Sequence, residues 1–400
     1  MSKKHRSIIL VLGALTALGP FSIDMYLPAF PVIAEALHTD IAHVTLSLTS
    51  YFVGISVGQL ICGPLLDRYG RKKPLIAGLV IYILAAAGCA MVPGVWWLVG
   101  MRLLLALGGC VGMVAGRAVV RDIFPAHETA GVFSTLMLVM GIAPIIAPTV
   151  GGYVTAFMGW RWIFIVLAII ALLMLLSVTR FLPESKGADD TVSLNLRTVS
   201  RQYAEVFRER GFMGYALAGG AASGGMFAYI AGSPFVYMDL FGLSEQQYGW
   251  AFGANAFGLI AGSQINRVLL KRYTAVQIAV AMAGVLVLVA AGLTITGILA
   301  LKWLVMGLVW CFLVCLGFLN PNTTAMALQP FSRTAGSASA LLGAIQMVSG
   351  ALASVAVSML HNQTIVPMVS VMAGCAAIGL CSLLSVKKQP GIVLQTDANG

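Results

Sequence analysis

The chain has 400 residues, of which 59% are hydrophobic and 10% are charged, and its mean hydropathy is +0.93. Soluble domains carry about 25% charged residues, so this composition excludes a protein that faces water over most of its surface. The formal net charge of +10 does not indicate a nucleic-acid-binding protein. Its lysines and arginines form short clusters between apolar runs, and no basic face with interleaved aromatic residues is present.

Continuous apolar runs predict twelve membrane-spanning helices, because a crossing needs about 20 apolar residues and a helix satisfies its own backbone hydrogen bonds in hydrocarbon. A β-barrel is disfavoured, since the runs do not alternate with a period of two. The first run follows a basic start but lacks a small-residue cleavage site, so we interpret it as an uncleaved span. The predicted spans are 8–33, 44–66, 75–92, 95–120, 129–157, 160–181, 212–235, 246–266, 274–297, 301–325, 335–360 and 364–386.

A long polar segment divides these spans into two groups of six. We predict an N-terminal six-helix bundle over 1–182, a linker over 183–211, a C-terminal six-helix bundle over 212–386 and a tail over 387–400. Most of the 24 lysines and arginines fall in loops on one side of the predicted membrane. The positive-inside rule therefore predicts that both termini, the linker and the tail are cytoplasmic.

A weak internal repeat relates the two halves. The pattern G-x-x-x-D-R at 63–68 follows span two, and G-x-x-x-N-R at 262–267 follows span eight. The tripeptide T-A-G opens span five at 129–131 and span eleven at 334–336. These matches predict two pseudo-symmetric six-helix bundles with a site between them.

The most specific local pattern is G-P-L-L-D-R-Y-G-R-K-K at 63–73. Glycines allow a tight turn, Asp67 can cap the next helix or pair with an arginine, and the basic run can anchor the turn at an anionic leaflet. A basic loop with no further role is the alternative. The pattern resembles the loop signature of the major facilitator superfamily, which implies the fold of that family and a charge network that stabilises the outward-facing state. The residues of this conformational switch are Gly63, Asp67, Arg68, Gly70, Arg71 and, as an acceptor at the end of span four, Asp122.

Span five contains two prolines and a pair of glycines. Small residues let helices approach closely, and proline removes a backbone donor and bends the helix, so ordinary packing is one interpretation. The arrangement also resembles the antiporter motif of drug exporters in the superfamily, although the glycine that usually precedes the second proline is Ala147 here. The motif residues are Pro144, Pro148, Gly151 and Gly152.

Arg117 lies near the cytoplasmic end of span four, whereas two charged residues lie deeper within predicted spans, Asp24 in span one and Arg102 in span four. Each costs several kcal/mol in hydrocarbon unless it is paired or faces a cavity, and their depths overlap, so we predict that they meet. A structural ion pair is one alternative. The other is proton coupling, in which Asp24 gains and loses a proton near Arg102. The spacing from Arg102 to Gly108 also resembles the family motif associated with proton coupling.

The segments S-I-D-M-Y-L-P-A-F-P at 22–31 and R-D-I-F-P at 121–125 narrow the resemblance to the bicyclomycin-resistance (Bcr/CflA) family of drug:proton antiporters. This resemblance implies export of antibiotics such as bicyclomycin, chloramphenicol or sulfonamides, driven by inward proton flow.

The C-terminal half has no acidic residue within a predicted span, so its contribution to a binding site must come from amides and aromatic rings. Ligand sites combine apolar walls with a few polar groups, and polar residues such as Asn255 and Asn320 stand out in spans eight and ten. The predicted substrate-binding residues are Asp24, Tyr26, Tyr229, Asn255 and Asn320.

Cofactor and metal sites are not indicated. The seven cysteines lie in apolar runs without a C-x-x-C pair, the five histidines have no metal-ligand spacing, and no glycine-rich phosphate loop is present. We expect no catalytic residue, no metal, no cofactor, no nucleotide and no nucleic acid. The expected partners are a small amphipathic substrate, protons and the lipid bilayer, and we expect a monomer.

The leading hypothesis is a proton-coupled exporter of amphipathic drugs in the bacterial cytoplasmic membrane, working by alternating access. A symporter that imports sugars or other metabolites is a second hypothesis, which the antiporter-like span five disfavours. A channel or an integral-membrane enzyme is a third, and an enzyme is disfavoured because no polar catalytic cluster is apparent.

Overall fold

The computed structural model describes residues 3–124, 126–188, 203–299, 301–331 and 335–387. Within them lie twelve helices of at least 20 residues and no strand. The helices are α1 (Lys3–Asp24), α2 (Ile41–Tyr69), α3 (Lys72–Met91), α4 (Val95–Ile123), α5 (Ala126–Met158), α6 (Arg161–Phe181), α7 (Arg210–Pro234), α8 (Glu245–Leu269), α9 (Ala275–Ile298), α10 (Lys302–Leu328), α11 (Ala335–Met359) and α12 (Val366–Lys387). Residues 189–202 of the predicted linker, 388–400 of the predicted tail and Thr334 of the repeat lie outside the described residues.

Ten of the described helices are long and apolar enough to cross a membrane. The other two are α7 and α8, which have 25 residues each. Helix α7 is rich in glycine, and α8 contains several glycines and amide side chains. The prediction of an all-helical membrane protein is confirmed. In the following, inner ends are the helix ends predicted to face the cytoplasm, and outer ends are the opposite ones.

The first predicted span is interrupted. Helix α1 stops at Asp24 and is followed by a 3₁₀ turn (Leu27–Ala29) and a short helix (Phe30–Ala36), whereas the sequence predicted one helix over 8–33. Pro28 and Pro31 explain the break, because proline has no N–H to donate and disfavours helical geometry in the residue before it. A second irregularity follows α7, where Phe235–Leu240 form a π-helical turn.

Glycines set the helix spacing within each group of six. In the first group, a Cβ at Gly108 of α4 would lie 2.7 Å from the Gly78 carbonyl oxygen of α3. In the second group, a Cβ at Gly317 of α10 would lie 2.8 Å from the Ser263 nitrogen of α8. Backbones this close require residues without side chains, as in other membrane helix pairs.

The two bundles meet along two lines of contact. Helix α2 packs against α11 through side-chain hydroxyls, here named the hydroxyl seam, with Thr49 Oγ1 2.6 Å from Ser354 Oγ. Helix α5 packs against α8 through glycines, here named the glycine seam, where a Cβ at Gly249 would lie 2.9 Å from Thr149 Cα. Both seams extend to the outer ends. Ser358 donates to the Ala42 carbonyl at 2.8 Å in the hydroxyl seam, and a Cβ at Gly152 would lie 2.7 Å from the Glu245 carbonyl oxygen in the glycine seam.

Candidate functional site

The break after α1 lies between the two bundles. The turn Leu27–Ala29 contacts α5 of its own bundle and also α7 and α8 of the other. Asp24 is the last residue of α1 and Tyr26 lies in the break, and both side chains are buried. Discontinuous membrane helices place backbone polar groups and side chains at the centre of transporters, so this break is the candidate site.

Arg102 of α4 reaches the same break from the first bundle and is fully buried. Its Nη1 donates to the Ser22 carbonyl oxygen at 2.8 Å. The guanidinium carbon lies 4.5 Å from the ring centroid of Tyr26 and 4.5 Å from that of Tyr51, with Phe164 at 6.0 Å. The arginine is therefore held by one carbonyl and by aromatic faces.

The predicted ion pair between Asp24 and Arg102 is not present among the described residues. Helix geometry explains the difference. Successive residues turn by about 100°, so Asp24 points roughly 200° around α1 from Ser22, the residue that Arg102 contacts. Asp24 instead interacts electrostatically with Tyr51 and, across the bundle interface, with Tyr229 and Tyr248.

The second bundle contributes a cluster of buried tyrosines opposite Asp24. Asn255 of α8 donates to the hydroxyl of Tyr229 at 2.9 Å and to that of Tyr237 at 3.4 Å. The Tyr248 hydroxyl lies 2.9 Å from Ser233 Oγ. We name these three tyrosines and the asparagine the tyrosine cluster: Tyr229, Tyr237, Tyr248 and Asn255. They offer phenol and amide groups in an apolar setting.

Two of the five predicted binding residues, Tyr229 and Asn255, thus lie together, and Tyr229 interacts with Asp24. Asn320 lies apart from them on α10, beside Thr323, which packs against Gly219 of α7. Gly219 precedes Tyr229 by ten residues, or about 15 Å along a helix, so Asn320 lies nearer the inner end. Its Oδ1 is buried and has no hydrogen-bond partner among the described residues.

Sequence reasoning missed Ser22, Tyr51 and Tyr248 as members of the site. A helical-spacing signal did exist for Tyr51, which follows Ser47 by four residues on α2 and thus shares its face. Ser47 Oγ lies 2.8 Å from the hydroxyl of Tyr26. No local pattern marks Ser22, because Arg102 uses its backbone carbonyl rather than its side chain.

At the inner end, the structure brings Asp67, Arg71 and Asp122 together. Arg71 Nη1 donates to Asp67 at 2.8 Å, and Nε donates to Asp122 at 2.8 Å. Burial opposes the charge of Arg71, but the hydrogen bonds to Asp122 and Asp67 raise its pKa above the usual value. Gly70 provides the turn between α2 and α3 with a φ of 84°, a conformation that glycine adopts without strain.

The remaining two switch residues lie on α2 before this turn. A Cβ at Gly63 would meet open space, so close packing does not require a glycine there. Arg68 lies in the last turn of α2, where a positive charge complements the helix dipole.

Glu184, which the sequence did not single out, completes this inner network. It follows α6 and accepts hydrogen bonds from the backbone N–H of Arg71 at 2.7 Å and of Lys72 at 3.2 Å. An acid at a helix N-terminus is stabilised by the unpaired N–H groups there. Its neighbour Ser185 donates to Asp122 at 3.0 Å. The chain that leaves α6 is thus fastened to the loop between α2 and α3.

The antiporter-like residues lie on α5 at the glycine seam. Pro144 and Pro148 are inside the helix. Gly151 packs directly on the Met25 carbonyl in the break after α1, and a Cβ at Gly152 would lie 2.7 Å from the Glu245 carbonyl oxygen of α8. The motif therefore contacts both the candidate site and the opposite bundle.

An outer cleft of about 430 Å³ opens where the bundles meet beyond the hydroxyl seam. Its titratable residues are Asp40 from the first bundle and Asp239 and His361 from the second. Burial acts to raise the pKa of Asp40, but hydrogen bonds from the backbone and ring of His43 hold it below its usual value. The cleft places ionisable groups on the outer side of the closed seams.

Comparison with known proteins agrees with this architecture. A model of the Major Facilitator Superfamily matches residues 12–354. YdgK, an uncharacterized MFS-type transporter of Bacillus subtilis, is 36% identical over 393 residues, 97% of each chain. A bicyclomycin resistance protein homolog of Haemophilus influenzae is 30% identical over 374 residues, 93% of this chain and 94% of the relative. A solved D-xylose-proton symporter has the same fold, with a TM-score of 0.75, 15% identity and coverage of 96% of this chain and 98% of the symporter.

Proposed function

Because this chain belongs to the Major Facilitator Superfamily and, within it, to the drug-efflux transporters related to bicyclomycin-resistance proteins, we propose that it exports small amphipathic drugs in exchange for protons. The chain is a multi-pass transporter of the bacterial inner membrane and not an enzyme. The proposal concerns the coupling ion, the direction of transport and the class of substrate.

One observation supports proton coupling more than any other: a buried carboxyl at a helix break between the bundles forms no ion pair with any residue that the structure describes. Asp24 is 4% exposed, and a buried carboxylate without a partner costs several kcal/mol. The neutral, protonated acid avoids that cost, and so does a carboxylate that faces water or a positively charged group. A carboxyl group that is buried in one conformation, and meets water or a positive charge in another, can bind a proton in the first and release it in the second.

The cycle follows from this property. Asp24 takes up a proton when the site is open to the outside, and its neutral form no longer holds the substrate, which leaves. The bundles then close the outer side by forming the two seams. Asp24 releases its proton to the cytoplasm once the site opens inward, and a new substrate enters. The inner network of Asp67, Arg71, Asp122 and Glu184 fastens the inner ends of the first bundle to one another, and we propose that this bundle stabilises the outward-facing state through further contacts with the second bundle.

The walls of the site favour amphipathic substrates. Phenol and amide groups of the tyrosine cluster can exchange hydrogen bonds with a ligand, while stacked rings such as Tyr229 on Phe252, with centroids 5.5 Å apart, offer apolar faces. Bicyclomycin, chloramphenicol and sulfonamides combine polar groups with a compact apolar body. We propose that compounds of this kind bind between Asp24 and the cluster, with Asn320 reached from the inner side. The transporter works as a monomer and needs no nucleotide, since the proton gradient supplies the energy.

Proteoliposomes with an imposed pH gradient test the proposal. The wild-type protein should accumulate a radiolabelled drug against its gradient when the compartment that supplies protons is acidic. Asp24→Asn should abolish this pH-driven accumulation, because the amide cannot bind or release a proton. Glu35→Gln is the matched control, since Glu35 is an exposed acid on the short helix after the break and its loss should leave accumulation unchanged.

Direction and coupling are read from the same assay. Drug movement with the protons would favour the importing symporter, and full pH-driven exchange by Asp24→Asn would exclude Asp24 as the coupling residue. Current that flows ohmically without substrate would indicate a channel.

A further inference from the structure

Arg102 has no carboxylate partner in the described ranges of the chain, so other groups must stabilise its buried charge. Its hydrogen bond goes to the Ser22 carbonyl in the last turn of α1. The carbonyls at the end of a helix lack partners within the helix and carry about half a negative charge in total. The break in α1 therefore supplies a partial counter-charge for Arg102 without using an acid.

Two aromatic rings supply the rest. Tyr26 and Tyr51 lie on Arg102 with their centroids at the same distance, 4.5 Å, from its central carbon. A guanidinium is attracted to the face of an aromatic ring, and the attraction strengthens when both are removed from water. The hydroxyl of Tyr26 lies 2.8 Å from Ser47 Oγ, one helical turn before Tyr51 on α2, so one face of α2 positions both rings.

We name the Ser22 carbonyl and the rings of Tyr26 and Tyr51 the arginine cage. This cage does not satisfy all the hydrogen-bond donors of Arg102. Nε and Nη2 of Arg102 are buried and have no hydrogen-bond partner in the part of the chain that the structure describes. A carboxylate is the group that a guanidinium binds most strongly, and Asp24 ends the same helix, about 200° around its axis from Ser22. The rings thus hold Arg102 against an attraction that would draw it to Asp24.

Tyr51 lies near both charges, since its ring centroid is 4.5 Å from the central carbon of Arg102 and it also interacts electrostatically with Asp24. The other groups near Arg102 are Tyr82 and Cys89. Those that face Asp24 from the opposite bundle are Tyr229 and Tyr248. None of these neighbours is a carboxylate or a base, so the position of Arg102 is the main variable in the field at Asp24.

We propose that Tyr26 and Tyr51 are positioning residues that hold Arg102 at the broken end of α1 and keep its charge away from Asp24. This inference rests on the proposed proton coupling, and it adds that the position of Arg102 controls the protonation of Asp24. With Arg102 caged, Asp24 gains a proton readily. With Arg102 released, the carboxylate is stabilised and a lower pH is needed to protonate Asp24.

The test is the pH at which Asp24 becomes protonated in the purified, membrane-reconstituted protein. Infrared spectroscopy follows the carbonyl stretch of the neutral carboxyl, and the band is assigned by its loss in Asp24→Asn. Tyr51→Leu should shift the midpoint to lower pH by about 1 to 3 pH units, the effect of an opposite charge at close range. Tyr51→Phe keeps the ring and should leave the midpoint near that of wild type. The double variant Tyr51→Leu/Arg102→Met should lose the acid shift.

An unchanged midpoint in Tyr51→Leu would overturn the inference, and so would an equal shift in Tyr51→Phe. If Tyr51→Leu does not fold, Tyr26→Leu and Tyr51→Met remove a ring from the same cage and must show the acid shift. The outcome is separable from the proposed function. Wild-type protein that shows no pH-driven exchange refutes the exporter, whereas the infrared midpoint reports on the cage whether or not transport occurs.

Discussion

The hydroxyl seam and the glycine seam join the same two bundles by different physics. In the hydroxyl seam, Thr49 meets Ser354 and Ser56 donates to the Ala344 carbonyl at 3.2 Å. In the glycine seam, backbone packs directly on backbone. A Cβ at Gly253 would lie 3.2 Å from the Ile145 carbonyl oxygen. Hydrogen bonds are directional and can be exchanged for water, whereas close backbone packing depends only on shape.

The two seams should therefore respond differently when the outer side of the transporter opens and closes. A hydroxyl freed from its partner can donate to its own helix, as Thr49 already does to Thr45 at 3.3 Å, so opening the hydroxyl seam leaves few groups unsatisfied. The glycine seam has no such substitute, because its stability comes from contact alone. We therefore expect the hydroxyl seam to tolerate side-chain changes and the glycine seam to resist them.

The largest effect is expected at the glycine seam, from Gly249→Val. Its Cβ would lie 2.9 Å from Thr149 Cα and 3.0 Å from the Pro148 carbonyl oxygen, and these backbone atoms cannot turn aside. Overpacking of this kind costs about 1 to 3 kcal/mol, so the outer side should open and pH-driven drug accumulation should collapse. Hydrogen–deuterium exchange of the segment 245–253 should rise at least tenfold.

Gly284→Val is the control for this substitution, since a Cβ at Gly284 of α9 would meet nothing within 4 Å. Normal exchange in the segment 245–253 of Gly249→Val would contradict the role assigned to close packing in this seam.

A smaller effect is expected at the hydroxyl seam, from Ser354→Ala. The substitution removes the contact at 2.6 Å between Ser354 and Thr49, but Thr49 keeps its bond to Thr45, so the cost should be about 1 kcal/mol. That corresponds to roughly a fivefold shift toward the open state. Hydrogen–deuterium exchange in the outer half of α11 should rise by this factor while transport persists.

Ser370→Ala serves as the comparison, because Ser370 Oγ donates to the Pro367 carbonyl of its own helix. A loss of transport in Ser354→Ala as complete as that in Gly249→Val would erase the distinction between the two seams.

The smallest effect is expected at Asp40, which lies in the outer cleft beyond the hydroxyl seam and caps α2 by accepting from the His43 N–H at 2.7 Å. Asp40→Ala should cost about 1 kcal/mol of stability, the usual value of an N-cap. Because the pKa of Asp40 is lowered from 3.8 in the folded protein, its contribution should be full above that pH. It should disappear as the pH falls through the lower folded-state value.

Thermal unfolding between pH 3 and pH 8 measures this contribution as the difference between wild type and Asp40→Ala. A difference that grows toward acid would reverse the expected sign. Asp40→Asn, which retains a capping oxygen, should lie between the two proteins.

Much of the fold followed from the sequence because its signals are local. Apolar runs, the polar break at 183–211 and the loop pattern at 63–73 each act through a short stretch of chain. The family resemblance, the all-helical fold and the inner-membrane location are confirmed. The cluster of Asp67, Arg71 and Asp122 could also be predicted from the sequence. The loop pattern identifies Asp67 and Arg71, and the predicted end of span four identifies Asp122.

The candidate site was only partly accessible. Asp24 and Arg102 stand out as charges in apolar runs, but their separation depends on the break at Asp24 and on which face of α1 each neighbour touches. Glu184 and Tyr51 could not be assigned a role, because the partner of Glu184 lies more than a hundred residues away along the chain and Tyr51 belongs to the site through packing.

The sequence by itself determined that the chain lies in a membrane as two groups of helices with scarce charges, because the cost of polar groups in hydrocarbon acts on every residue independently of its partners. Only the tertiary structure decided that Arg102 binds a carbonyl and two rings in place of Asp24, and that one seam consists of hydroxyls and the other of glycines. Those outcomes depend on distances between helices that are far apart in the chain, and such distances are set by the packing of all helices together.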